Sequence, residues 1–181
     1  MKKFLLPILF LLPFISKAQS NEFHYKAEDR YLYYGNVVEV DSLLTVTDLY
    51  KSARLFLTKL ALVNTKITTD DKTNGIIVAS VEEPATFKTQ TNIGDERMVL
   101  RYNIKLELKK GRYRYTFDNI ILIYNDKNHN QEHTLYDVDK GKSGGLLGIG
   151  QRKRVLKAMD DLFLKKIDVL KNTMSKKSDE F

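Results

Sequence analysis

The sequence predicts a two-layer α+β domain with the element order strand, helix, four strands, helix. Residues Met98–Leu108 alternate apolar and polar side chains, which is typical of an antiparallel strand with one buried and one solvated face. Two segments, Thr47–Leu62 and Arg152–Asn172, carry apolar residues at helical spacing instead. Because short turns join consecutive strands, we expect an antiparallel sheet of about five strands with both helices packed on one face.

The first strand and the first helix are predicted from composition and periodicity. Aromatic and β-branched residues dominate Tyr31–Val40, which favours a strand, and Gly35-Asn36 predicts a bulge or kink inside it. Thr47 is the expected N-cap of the helix, and the carboxylate of Asp48 suits the positive end of the helix dipole. The apolar stripe of this helix consists of Leu49, Tyr50, Ala53, Phe56, Leu57 and Leu60.

The next strands are bounded by turn residues. Asn64–Thr69 and Ile76–Val81 have strand character, and the segment between them, Asp70–Gly75, contains an Asn-Gly pair that favours a hairpin turn. Pro84 is expected to end or bend the second of these strands because proline cannot donate to the ladder. The polar residues Thr86–Asp95 are expected to form a loop or an extended edge.

A hairpin follows, in which Arg112–Tyr124 returns along Met98–Leu108. Its alternation directs Tyr113, Tyr115 and Phe117 inward, and it slips at Asp118-Asn119, where we expect a bulge. A polar connection, Asn125–Lys142, and a glycine-rich stretch, Ser143–Gly150, lead to the last helix. The stripe of that helix is Val155, Met159, Leu162, Phe163, Ile167 and Leu170.

The N-terminus predicts export. A basic start, Met1–Lys3, precedes an apolar run, Phe4–Ile15, and small residues flank Lys17 in Ser16-Lys17-Ala18, as in a secretory signal peptide. The run is too short to span a bilayer, so we expect a periplasmic or secreted protein. The expected organisation is a signal peptide at 1–18, an N-terminal extension at 19–30, one domain at 31–172 and a charged tail at 173–181.

Composition excludes several classes of function. The chain contains no cysteine, which excludes thiol catalysis, cysteine-based zinc sites and a lipidated N-terminal cysteine. Its formal net charge of +7 comes from 30 Lys+Arg and 23 Asp+Glu, and three of those lysines lie in the signal peptide. The mature balance is therefore 27 − 23, or +4. Such a modest charge is typical of a solvated surface rather than a dedicated polyanion site.

Four short patterns carry a family resemblance over Tyr31–Tyr124. They are Tyr33-Tyr34-Gly35 with Val37-Val38, Asp48-Leu49-Tyr50 with Ala53-Arg54 and Phe56, Gly75-Ile76-Ile77, and Gly111–Tyr115. In these patterns the chain resembles a domain of unknown function with a TATA-binding-protein-like (TBP-like) fold, found in exported Bacteroidota proteins. The resemblance implies a curved antiparallel sheet in the order β-α-β4-α, and it carries over no catalytic residue.

The solvated sheet face is the leading candidate for binding. Alternation places on this face five cationic or polar side chains: Arg101, Asn103, Lys105, Arg112 and Arg114. A non-enzymatic module that presents this face to an unknown protein or envelope ligand is the function we expect. Nucleic acid is not expected as a partner, because the tyrosines of the hairpin point into the core and the chain is exported.

A second candidate is the glycine-rich stretch, which combines backbone freedom with apolar side chains. Leu146, Leu147 and Ile149 precede the basic run Arg152, Lys153 and Arg154, a combination that suits a peripheral contact with anionic lipid or with a partner protein. Its simpler interpretation is a flexible linker whose apolar residues pack beside the last helix.

Two short motifs carry less weight. His129–His133 fits the pattern H-x-x-E-H of inverted zinc proteases, but its polar flanks lack the apolar stripe of a buried helix. Gly141-Lys142-Ser143 looks like the end of a phosphate loop, yet Tyr136 stands where the first glycine is needed. We therefore expect no metal and no cofactor, and a polar loop around both histidines, with His24 solvated near the mature N-terminus.

Overall fold

Seven antiparallel strands and three helices make up the described part of the chain. The computed structural model describes residues 23–28, 30–60, 64–87, 96–126, 129–142 and 149–175. In chain order the elements are β1 (Lys26–Glu28), β2 (Tyr31–Glu39), α1 (Val46–Leu60), β3 (Asn64–Asp71), β4 (Ile76–Phe87), β5 (Glu96–Lys109), β6 (Arg112–Asp126), β7 (His129–Thr134), α2 (Leu135–Lys140) and α3 (Ile149–Met174). The α+β class with a curved antiparallel sheet is confirmed, whereas the expected numbers of about five strands and two helices were wrong.

The additional elements lie where local patterns are weak. β1 has only three residues, and β7 and α2 have six residues each. β7 and α2 lie within the connection that was expected to be irregular, and none of these three short elements shows a clear apolar period. A capping box closes the start of α2, in which the Thr134 hydroxyl accepts from the Asp137 N–H and the Asp137 carboxylate accepts from the Thr134 N–H. β7 pairs with residues 121–126 of β6, beyond Phe117, the last residue of β6 that pairs with β2.

The sheet order is β1-β2-β6-β5-β4-β3, and β7 pairs with β6 beyond the end of β2. The expected bulge in β6 is confirmed: Arg101 pairs with Ile121 and Asn103 with Asp118, so two residues of β6 oppose one of β5. Asn119 occupies the left-handed region at φ 48°. The extra residue reverses the alternation, which directs Asn119 away from the core.

Two of the expected local features, a bulge at Gly35 in β2 and the end of a strand at Pro84, are absent from these strands. The pairing of β2 with β6 runs without interruption from Tyr34 to Glu39, so Gly35 forms no bulge. Instead, a Cβ atom at Gly35 would lie 3.2 Å from two carbons of the Tyr33 ring, so the glycine leaves room for that ring. β4 continues through Pro84 to Phe87: β3 begins opposite Glu82, so among the described residues Pro84 has a partner strand only on the β5 side, where a missing N–H is tolerated.

The start of α1 lies earlier than expected. The Thr45 hydroxyl accepts from the Asp48 N–H at 3.2 Å, and the Asp48 carboxylate accepts from the Thr45 N–H at 2.9 Å. Thr45, not Thr47, is therefore the residue that caps the helix, in a reciprocal capping box with Asp48. The box matches the observed start of α1 at Val46.

The core lies between one sheet face, hereafter the inner face, and the helices α1 and α3. The inward residues expected for β5 are buried: Met98, Leu100, Tyr102, Ile104, Leu106 and Leu108. Phe163 of α3 is fully buried at the centre, stacked on Tyr34 at 4.7 Å and edge-on to Tyr102 and Phe117 at 5.1 and 5.7 Å. No helix in the described ranges is long and apolar enough to cross a membrane.

Candidate functional site

The opposite, solvated side of the sheet, hereafter the outer face, carries all five side chains predicted for binding. Arg101, Asn103 and Lys105 project from β5, and Arg112 and Arg114 project from β6, which pairs with β5. Period-two alternation assigned these five side chains to the correct face, since the alternate residues of both strands, which point inward, are buried. The structure thus brings these side chains onto one surface.

Carboxylates neutralise much of that surface, which the sequence analysis did not anticipate. Arg101 lies between two of them, with Nε 3.2 Å from Glu82 Oε2 and Nη1 3.2 Å from Glu132 Oε1. The hydrogen bond to Glu82, assisted by the charge of Glu132, raises the pKa of Arg101. Arg101 therefore works as a cross-strand tie between β4, β5 and β7, and it is not a free cation.

Glu107 performs the same role between the next pair of strands. Its carboxylate lies 3.2 Å from Lys105 Nζ and 3.7 Å from Arg114 Nη1. The outer face consequently carries ion pairs between neighbouring strands, and it is not a basic surface. Among the described residues, Arg112 is the one predicted cation with no carboxylate within ion-pair distance.

Two depressions adjoin one another around Arg114, across the β2–β6 pair. The first has a volume of about 190 Å³ and is lined by Val37, Glu107, Lys109, Arg112, Tyr113 and Arg114. The second, of about 280 Å³, lies over Gly35, which has no side chain, and is bordered by Lys26, Tyr33, Arg114 and Thr116. Val37 separates the two and is 44% exposed. Together they combine cationic rims with an apolar ridge.

Aromatic side chains extend this surface along β2. The rings of Tyr31 and Tyr33 lie 5.6 Å apart. Partial burial of the Tyr31 hydroxyl, reinforced by its hydrogen bond to Asp118, raises the pKa of Tyr31 to about 12. Sequence reasoning missed these tyrosines as surface groups, although their odd-numbered positions in β2, shared with Val37, indicate the outer face.

A buried carboxylate occupies the opposite side of the sheet. Asp160 of α3 is 1% exposed and accepts hydrogen bonds from the His24 N–H at 2.9 Å and the Tyr34 hydroxyl at 3.1 Å. His24 Nδ1 lies 2.8 Å from its second oxygen, so His24 is not simply solvated as expected, although its side chain is 65% exposed. Burial first, and then the charge of Asp160, raise the pKa of Tyr34.

The Asp160 cluster anchors the N-terminal segment to α3. In a nucleophilic triad, the histidine lies between a buried carboxylate and the hydroxyl of the nucleophile. The described residues place no serine or threonine hydroxyl on the other ring nitrogen of His24, so the pair with Asp160 does not form such a triad. One signal in the sequence could have revealed this cluster. Asp160 lies on the apolar stripe of its helix, directly after Met159 and three residues before Phe163, where a charge needs a partner.

A second buried ionic cluster joins β4 to α3. Lys166 Nζ lies 2.9 Å from Glu83 Oε2, and the Tyr102 hydroxyl donates to Glu83 Oε1 at 3.2 Å. The side chains of Lys166 and Glu83 are 11% and 10% exposed. Glu83 was missed as an inward residue because β4 was expected to end at Val81.

The two short motifs take other roles. His129–His133 lies on the strand β7, not on a helix, and places its two histidines about 13 Å apart along the chain. Glu132 is engaged by Arg101 on the outer face, so the zinc-protease geometry does not form. His133 Nε2 is buried without a partner among the described residues. Gly141 is the left-handed C-cap of α2 at φ 69°, which explains the glycine without a phosphate loop.

The glycine-rich candidate is described only at its end. Leu146 and Leu147 lie outside the described residues, and Ile149 begins α3. Arg152 is half-buried, and Lys153 and Arg154 are exposed on the first turns of that helix. The Arg152 guanidinium lies against Gly141, while Lys140 and Lys142 approach the ring of Tyr136 to 6.0 and 5.6 Å. Several cations therefore gather where α2 meets α3.

Comparison with known proteins supports the fold. Residues 34–123 match a family described as "Domain of unknown function (DUF4468) with TBP-like fold". A crystal structure of a DUF4468 family protein from Bacteroides ovatus is similar, with a TM-score of 0.59, 14% identity and coverage of 81% of this chain and 90% of that one. A TBP-like protein from Parabacteroides distasonis has a TM-score of 0.60 and 16% identity, with coverage of 81% and 97%. No curated protein matches.

Proposed function

We propose that this chain, whose residues 34–123 belong to the DUF4468 family with its TBP-like fold, is an exported, non-enzymatic binding module. Its binding surface is the part of the outer face between β2 and β6. The observation that carries the proposal is the pair of adjoining depressions there, together with the exposed Val37 and with Arg112, which has no carboxylate within ion-pair distance among the described residues.

The ion pairs of the outer face restrict the proposed binding surface to the part around Arg112 and Arg114. Arg101 and Lys105 are held by carboxylates and serve the sheet, whereas Arg112 and Arg114 border the first depression. Arg114 contacts Glu107 only at 3.7 Å and is 60% exposed, so it is available to a stronger anion. A ligand that offers an anionic group beside an apolar group fits this surface, and an envelope protein or another envelope ligand can supply both.

A capture experiment with matched charge reversals tests this site. The wild-type protein would be immobilised and exposed to envelope extract, beside Arg112→Glu/Arg114→Glu and the control Lys165→Glu/Lys171→Glu. The control makes the same charge change at exposed positions of α3. We expect a ligand that the wild type and the control retain and the outer-face variant loses. Equal capture by all three proteins, or no specific capture, would overturn the proposal.

Export rests on the N-terminal pattern and has its own test. A basic start, a short apolar run and Ser16-Lys17-Ala18 support removal of a signal peptide before Gln19. Cell fractionation followed by N-terminal sequencing is expected to recover, outside the cytoplasm, a chain that begins near Gln19. An intact precursor in the cytosolic fraction would contradict export.

A peripheral membrane contact is a second candidate. The cations where α2 meets α3 favour anionic headgroups: Lys140 and Lys142 lie near the ring of Tyr136, and Arg152 lies against Gly141. Co-sedimentation with phosphatidylglycerol vesicles is expected for the wild type and not for Leu146→Glu/Leu147→Glu, and neutral phosphatidylcholine vesicles serve as the control. Absence of binding to anionic vesicles would remove this candidate.

A further inference from the structure

One edge of the sheet, along residues 34–39 of β2, has no partner strand among the described residues and is hereafter the open edge. β1 pairs only with Tyr31–Tyr33, so residues 34–39 of β2 have a strand partner on the β6 side alone within the ranges that the structure describes. Immediately before β1 the chain turns to the inner face, where His24 bonds to Asp160 on α3. This described segment therefore leaves the edge of β2 uncovered.

Backbone parity shows which groups face the open edge. The Val40 N–H donates to the Gly111 carbonyl, on the β6 side. Because successive residues of a strand direct their backbone polar groups to opposite sides, the odd-numbered residues of β2 face outward from the sheet edge. Consistently, the Val37 N–H is bonded at 3.0 Å only by the side chain of its neighbour Asn36. The outward residues are Gly35, Val37 and Glu39.

Among the described residues, the opposite edge of the sheet is more strongly protected than this one. β3 carries a register shift between Ile67 and Thr69, and charged residues at Lys66, Asp70 and Asp71. Bulges and charges of this kind prevent edge strands from pairing with other chains. Residues 34–39 of β2 contain no bulge, lysine or proline, and Val37 is 44% exposed.

We propose that two copies of this chain associate through the open edges of β2, antiparallel about a two-fold axis at Val37, so that the two sheets become continuous. This register pairs Val37 with Val37 and Gly35 with Glu39 of the second copy, and it uses every outward-facing residue of the edge. The interface is isologous, as in most dimers. The inference goes beyond the proposed function and joins the outer faces of both copies.

Charge complementarity selects a second copy as the occupant. Glu39 lies on the outer face opposite Arg112 of β6, but no cation in the described part of the chain lies within ion-pair distance of it. The proposed register places it opposite Gly35 of the second copy, in the depression bordered by Lys26 and Arg114. Within one chain Lys26 pairs with Tyr33, about 20 Å along β2 from Glu39. Only a second copy can therefore bring Lys26 and Glu39 together.

Single cysteines test the register directly, because the chain has none of its own. Val37→Cys is expected to form an intermolecular disulfide at the two-fold axis under mild oxidation of the purified protein. Leu43→Cys, 69% exposed in the loop after β2, and Thr68→Cys, on the protected edge, are the controls. Cross-linking of Val37→Cys no greater than that of these controls overturns the inference.

A charge swap then separates this interface from chance collision. In the chain without the added cysteine, Glu39→Lys or Lys26→Glu alone is expected to raise the dimer dissociation constant about tenfold, measured by sedimentation, because symmetry repeats each contact. The double variant Lys26→Glu/Glu39→Lys is expected to restore association. Circular dichroism checks that each variant is folded. Loss without rescue, or no loss at all, overturns the proposal, and neither outcome depends on ligand capture by Arg112 and Arg114.

Discussion

The buried pair of Lys166 and Glu83 allows a sharp prediction about stability. Lys166→Ala removes the ammonium group 2.9 Å from Glu83 and leaves that carboxylate with the Tyr102 hydroxyl in a site about one-tenth exposed. Removing one partner of a buried pair typically costs about 3–5 kcal/mol, because the remaining charge keeps its desolvation penalty. In a domain of this size the cost corresponds to a fall in Tm of roughly 6–20 °C.

The double replacement Lys166→Met/Glu83→Leu distinguishes this cause from simple loss of contacts. It removes both charges together and fills similar volume, so it is expected to be less destabilised than Lys166→Ala, losing about 1–2 kcal/mol because the buried Tyr102 hydroxyl no longer has its Glu83 acceptor. Lys165→Ala, at an exposed neighbouring position on α3, is the control and is expected to change stability by about 0.5 kcal/mol or less.

Chemical unfolding followed by circular dichroism measures these differences, since the chain contains no tryptophan for fluorescence. Among the four proteins, the variant with one unpaired buried charge is expected to lose the most stability. If Lys166→Ala costs less than about 1 kcal/mol, or if the double variant is as unstable as Lys166→Ala, an unpaired buried charge is not the cause of the loss of stability.

Three further predictions concern titration, capping and a turn. Burial raises the pKa of the core tyrosines Tyr34, Tyr102 and Tyr113 above the ordinary value of 10. The stability that these groups contribute is therefore fully present below pH 10 and is lost progressively as the pH rises above it. Absorbance at 295 nm is expected to show that these three tyrosines ionise only when the protein unfolds. Thr45→Ala is expected to lower the free energy of unfolding by about 1 kcal/mol and Thr47→Ala to leave it nearly unchanged, and the reverse order in urea unfolding would refute the capping assignment. Gly75→Ala is expected to cost about 1–2 kcal/mol or more by the same assay, because Gly75 has φ +66° and a Cβ atom would lie 2.7 Å from the Leu108 carbonyl oxygen; a neutral effect would show that this turn relaxes easily.

Local patterns were sufficient for the central strands. Period-two alternation identified the inward residues of β5 and β6, and the slip at Asp118-Asn119 identified the bulge that redirects the second half of β6. These inferences succeed because side-chain direction in a strand depends only on neighbouring residues. A local pattern was not sufficient at Pro84, because whether the strand continues through a proline depends on how far the neighbouring strand β3 extends.

The sequence predicted which side chains lie on the outer face, but not that carboxylates neutralise most of their charge. The sequence assigned Arg101, Lys105 and Arg114 to the outer face correctly, yet it counted cations without their partners. Glu132 reaches Arg101 from 31 positions away, on a strand that no local pattern predicted. Charge on a sheet surface is a property of neighbouring strands, so it requires the strand order as well as the alternation.

The sequence by itself determined the α+β class, the alternating central strands, the two long amphipathic helices and the bulge, because period and turn chemistry act over a few residues. Tertiary structure alone decided which charges meet. His24 and Asp160 are 136 positions apart, and they meet because β1 returns alongside β2 where α3 crosses the inner face. The open edge of β2 is likewise defined by where β1 stops, since a strand edge is free only when no neighbour reaches it.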